Sequence, residues 1–167
     1  MNTSQWARYH RQLGNRFHVA GQRGCRSAAL RVVRLMVERT RVAMPASDNG
    51  AEGAVNTGEF LRGWKWMAIS YGARVMNDRP YSSVIEYGRR PGSKPPPPAP
   101  IQRWLQRRLG MDEKEAQSVA WLVARAIGYR GLRGRAILTG AEATAQIEVI
   151  LEAEISHELR IEIARPP

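Results

Sequence analysis

The chain has little of what most site chemistries need. It holds a single cysteine, Cys25, which excludes an internal disulfide and leaves the redox compartment unspecified. Its histidines are His10, His18 and His157. None has a cysteine or acidic neighbour at metal-ligand spacing, so each reads as a surface histidine. Nucleophile-elbow, HExxH and kinase patterns are absent. No apolar run approaches the length of a membrane span. The opening MNTSQWARYHRQLG carries arginines without the apolar segment of a secretory signal. These absences predict a soluble, non-enzymatic protein with no cofactor, no bound metal and no membrane contact, made in the cytoplasm.

Acidic residues are also scarce, 15 Asp and Glu against 26 Lys and Arg in 167 residues, for a formal net charge of +11. Such a surface must face something acidic or tolerate strong self-repulsion, and the charge alone leaves nucleic acid, an acidic protein partner and an anionic membrane open. Much of the excess lies in the first helix. The carboxylates Glu142, Glu148, Glu152, Glu154 and Glu158 gather near the other end, where they read as a solvated helix face.

What is present predicts an α+β fold in a single domain, 1–167. Residues Ser4 to Met44 read as a long basic helix in which Gly21 and Gly24 predict a kink or a break. Residues 45–88 read as a loop, a hairpin over about 62–78 and a short helix. Trp64, Trp66 and Ala68 alternate with Lys65, Met67 and Ile69, the period of a half-buried strand. Two indoles on alternate strand positions share a face, which suits packing on a helix or stacking on a base.

Residues 89–100 contain four consecutive prolines and read as a polyproline II spacer or, alternatively, as a ligand for a proline-recognising domain. The part from 101 to 167 reads as helical. Pro100 and Gly110 frame one helix, and Asp112 and Glu115 have capping-box spacing for a second that runs to about Gly128. That second helix is apolar almost all round, through Val119, Trp121, Leu122 and Ile127, and so demands cover on more than one side, from a helical core or a neighbouring subunit.

GYRGLRGR, from Gly128 to Arg135, is basic and glycine-rich but matches neither a Walker A loop nor a dinucleotide fingerprint, and reads as a connection or an anion-holding loop. Thr139 and Glu142 have capping-box spacing for a last helix ending near His157. The alternation of Leu159, Ile161 and Ile163 predicts a third strand over about 159–163.

Taken in order, Pro45, VNTGEFLRGW, NDRPYSSVIEYGRRPG, PIQRWLQRRLG and AWLVARAIGYRGLRGRAIL resemble the neck or tail-completion proteins of long-tailed bacteriophages. These are the gene-ten-product-like minor tail proteins, related in role to head–tail joining and tail-terminator proteins and found also in prophages and gene-transfer agents. The pattern is a long helix, a proline, a Thr-Gly-x-Leu turn, a hairpin, a Tyr-Ala-x-x-Val-Glu-x-Gly helix and C-terminal helices. It falls here on Pro45, Thr57, Gly58, Leu61, Tyr81, Glu86 and Gly88, with Phe60 as the other candidate for the leucine, Ser82 in place of the alanine and Ile85 in place of the valine.

The motif reads as structural: glycines for tight turns, a tyrosine ring that can be buried, and a glutamate placed for an arginine or backbone partner. The resemblance implies a virion protein at the head–tail interface, assembled as a homo-oligomeric ring, six-fold with twelve-fold as the alternative. Its neighbours would be the head connector or stopper and the tail terminator or tail tube, with DNA passing through. Candidate subunit-interface residues are Trp64, Trp66, Trp104 and Trp121. Candidates to face DNA or an acidic partner are Arg23, Arg26, Arg31, Arg34, Arg130, Arg133 and Arg135. The alternative reading is a standalone basic nucleic-acid-binding protein, which would bind in a salt-sensitive, sequence-independent way.

Overall fold

The computed structural model describes residues 3–42 and 58–166. Pro45 and Thr57 lie outside them. The architecture is α+β and mostly helical: α1 (Thr3–Arg41), α2 (Glu59–Arg62), β1 (Trp64–Ile69), β2 (Gly72–Asn77), α3 (Ser82–Tyr87), β3 (Gly88–Arg89), α4 (Pro98–Leu109), α5 (Glu113–Arg130), β4 (Leu132–Arg133) and α6 (Ala141–Ala164). Among the described residues no helix is long and apolar enough to cross a membrane.

Helix α1 is one unbroken helix of 39 residues, about 58 Å at 1.5 Å per residue. The expected break at Gly21 and Gly24 is therefore not there. A glycine inside a helix costs only about 1 kcal/mol relative to alanine, and the stripe Ala20, Gly24, Ala28, Val32, Met36 and Thr40 buries enough surface to outweigh it. Gly24 has a positional reason: a Cβ there would fall 2.8 Å from the Cα of Ile155 on α6, so the missing side chain lets the two backbones approach. At Gly21 a Cβ would meet nothing within 4 Å.

Helices α1 and α6 run antiparallel, as their ion pairs show: Arg16 meets Glu162, Arg31 meets Glu154 and Arg39 meets Glu142. Part of the acidic face expected to be solvated is thus the partner of α1. Arg16 also donates through Nη2 to the carbonyls of Glu162 (3.4 Å) and Arg165 (3.3 Å), satisfying acceptors that the end of α6 would otherwise leave open.

Helix α6 continues to Ala164, so residues 159–163 are helical and the expected third strand is not formed. The alternation misleads because the residue turned inward is the charged one. Glu162 is buried on Arg16, while Ile161 and Ile163 are exposed. The hairpin β1–β2 is accordingly a two-stranded antiparallel sheet, registered Trp64 to Asn77 and Ile69 to Gly72. A second, two-residue ladder pairs Gly88 with Arg133 and Arg89 with Leu132.

Two cores result. The larger joins Val32 and Met36 of α1, Phe60 of α2, Trp64 of β1, Ile137 of the turn before α6, and Ala143 of α6. The smaller lies between α4 and α5 and contains Leu105, Ala116 and Ala120, with Ile101, Met111 and Val119 around it. The first capping box is real: the Asp112 carboxylate accepts from the Glu115 N–H at 2.9 Å. The second is not, since Gly140 is the N-cap of α6 without a side-chain cap. Thr139 and Glu142 are used elsewhere. The proline segment is no free spacer either, because Pro98 and Pro100 lie in the first turns of α4 and Pro95 abuts Gly128 of α5.

Candidate functional site

Of the described motif residues, Glu86 makes the most hydrogen bonds through its side chain. Glu86, at the end of α3, is 9% exposed and accepts from four donors. These are the N–H groups of Ile137 (3.1 Å), Leu138 (3.0 Å) and Thr139 (2.7 Å), and the Thr139 hydroxyl (2.8 Å). The backbone adds two more bonds, Arg135 N–H to the Ile85 carbonyl (2.7 Å) and Ala136 N–H to that of Glu86 (3.1 Å). Residues 135–139 are thus clasped onto α3, which places Ile137 in the core. Three consecutive N–H groups in a non-helical turn have no backbone partner of their own, so a buried acceptor is what makes the turn tolerable.

The glycines around this clasp mark close approach. A Cβ on Gly88 would sit 2.1 Å from the Leu132 carbonyl oxygen, and one on Gly134 would sit 2.4 Å from that of Glu86. Gly88 also has φ +78°, a conformation that a side chain would strain. The glycine-rich basic stretch therefore builds a ladder and a clasp rather than an anion-holding loop. Gly58, φ +74°, is the N-cap of α2. Phe60 is the buried residue of that turn, and Leu61 is only half-buried. Phe60 stacks against Trp64 edge to face at 5.7 Å and against Tyr81 at 6.1 Å. The phenol of Tyr81 is raised above its ordinary pKa by burial first and by the nearby Glu59 second.

The tryptophans separate. Trp64 is 7% exposed, and its indole N–H donates to the Thr40 hydroxyl at 3.1 Å, which in turn donates to the Met36 carbonyl at 2.6 Å. It is a core residue and no interface candidate. Trp66 is half-buried on the strand. Trp104 on α4 and Trp121 on α5 are exposed, as are Leu122 and Tyr129 of α5. Helix α5 buries a stripe of small residues, Ala116, Ala120, Ala124 and Gly128, and turns its large apolar side chains outward. Trp121 is 58% exposed, Leu122 67% and Tyr129 82%. Arg125 lies over the Trp121 ring, its Cζ 5.9 Å from the centroid.

The candidate cations separate too. Arg31 is paired with Glu154 at 2.5 Å, and Arg23 is close enough to Glu162 to help lower its pKa, after the larger effect of the Arg16 hydrogen bond. Arg135 is half-buried and anchored through its backbone. Arg26 and Arg34 are exposed on α1, and Arg130 and Arg133 are exposed around β4. Among the described residues no group of three or more His, Cys, Asp or Glu side chains converges on a point where a metal ion could sit.

Sequence reasoning missed the groove that the proline run forms with α5, including Arg89, Lys94 and Arg125. The signal was a proline block followed by a helix with a small residue at every fourth position, which marks a surface another segment can approach closely. Compared with protein-family models, with curated proteins and with solved structures, the chain matches none.

Proposed function

We propose that the protein is a structural component of a long-tailed bacteriophage or gene-transfer agent, forming the neck or tail-completion ring that joins the tail to the head connector. The observation that supports this reading best is the outward apolar face of α5. Trp121, Leu122 and Tyr129 form an exposed row that an isolated monomer has no reason to keep in water and that a neighbouring subunit would cover. The Glu86 clasp adds to it, since Glu86 and Gly88, two of the residues that carry the resemblance, hold residues 132–139 onto α3 and β3 and are not spent on α5.

Ring assembly requires two different complementary patches on each subunit. Outward α5 is one candidate, and the exposed Val149 and Ile163 of α6 supply a second. Arg26 and Arg34, exposed and without an ion pair among the described residues, would then face DNA or an acidic neighbour. Light scattering on the purified chain with tail tubes should show discrete rings, six-fold or twelve-fold. Monomer alone under those conditions would remove the reading. A standalone nucleic-acid binder would instead show tight, salt-sensitive binding to short duplexes and no rings.

A further inference from the structure

Residues 95–98, Trp121 and Ala124 line a groove of about 510 Å³, and Arg89, Lys94 and Arg125 are the only charged side chains among its lining residues. The walls are mostly carbon: pyrrolidine rings, an indole and a methyl group. Four consecutive prolines offer no backbone N–H, so the side-chain donors at the groove are the three cations and the indole N–H of Trp121. One of these is incompletely satisfied. Arg89 donates through Nη2 to the Lys94 carbonyl at 2.5 Å, while its Nε is buried with no hydrogen-bond partner among the described residues. Arg125 is held over the Trp121 ring rather than on a carboxylate.

An occupant must therefore bring both an apolar side chain and negative charge. A duplex is too broad to enter a cavity of this volume, which is the size that holds a small-molecule-sized group, and the guanidinium of Arg125 already covers one face of the Trp121 indole. We propose that this groove docks a short acidic segment of a partner protein, in which one apolar side chain enters between Trp121 and the proline run and flanking carboxylates meet Arg89, Lys94 and Arg125. The prolines are then a receptor wall and not a ligand. Rigid, preorganised walls lower the ordering cost of such docking. The inference goes beyond the assembly reading and does not depend on it.

The test uses the full chain and a fluorescein-labelled, end-blocked peptide with one leucine between two blocks of glutamates, followed by anisotropy at about 0.15 M salt. Saturable binding is expected. Replacing the leucine by glycine, or the glutamates by glutamine, should weaken it, and so should Trp121→Ala or Arg125→Gln in the protein, each by about tenfold or more. Arg34→Gln removes the same unit of charge from α1 and should change affinity by less than about twofold. Lys94→Gln gives a further check that does not touch α5, and thermal melts verify that each variant is folded. The proposal is overturned by absence of binding, by equal binding of the glycine peptide, by equal losses in Arg34→Gln and Arg125→Gln, or by preference for an oligothymidylate of matched charge.

Discussion

Helices α1 and α6 on one side, and α4 and α5 on the other, both pack through small residues, yet they treat their large and charged side chains in opposite ways. In the first pair, Gly24 lets the backbones close while Met36, Phe60, Trp64 and Ile137 fill the space beside them, and the arginines of α1 meet carboxylates of α6. In the second, Ala116 and Ala120 form the seam with Leu105, and Trp121, Leu122 and Tyr129 turn outward. A small seam costs little surface. It leaves the bulky residues of α5 facing solvent, whereas the α1–α6 seam is flanked by buried large side chains and by ion pairs.

The strongest way to break this division is at the clasp. Glu86→Ala strands the buried N–H of Ile137, the part-buried N–H groups of Leu138 and Thr139 and the Thr139 hydroxyl and should destabilise the fold by about 2–3 kcal/mol. Glu86→Gln keeps an acceptor and should lose less, both measured by urea denaturation. Next, Gly24→Ala drives a methyl group into the α6 backbone and should cost about 1–3 kcal/mol from overpacking, offset in part by its helix propensity.

Acid should act through Glu162. Its carboxyl is held below the usual range by the Arg16 hydrogen bond, so the unfolded chain binds the proton first. The stabilisation is present at neutral pH and is lost as pH falls below the usual carboxylate range toward the lowered folded pKa. In Arg16→Gln the denaturation midpoint should vary less steeply with pH across that window. Gly21→Ala, where a methyl group meets nothing, should stabilise by about 1 kcal/mol. Smallest of all, Leu122→Gln on the outward face should shift stability by less than about 0.5 kcal/mol while reducing ring formation in light scattering. A large stability loss there would erase the contrast between the two halves.

Much of the fold was legible in the residues. The hairpin, the α5 cap at Asp112 and the helix frame between Pro100 and Gly110 follow from local chemistry, because strand alternation, capping and left-handed glycines act within a few residues. The misses share a cause. Thr139 and Glu142 have capping spacing, but Glu86 and Arg39 compete for them from 53 and 103 positions away in sequence, and a neighbour-by-neighbour reading contains neither. Leu159 to Ile163 alternates like a strand, but the inward pull is an ion pair. Trp64 and Trp66 look equivalent on the strand, yet only Trp64 reaches the Thr40 hydroxyl.

By itself the sequence determined the basic surface, the long helix, the hairpin, the positions of the turns and the absence of familiar catalytic motifs, since each rests on composition or on contacts within one element. Only the tertiary structure decided which arginines are matched by carboxylates, which tryptophans are core and which are surface, and that the proline run is one wall of a groove. Those outcomes depend on which distant segments meet, and burial and charge pairing are properties of such meetings and of no single stretch of chain.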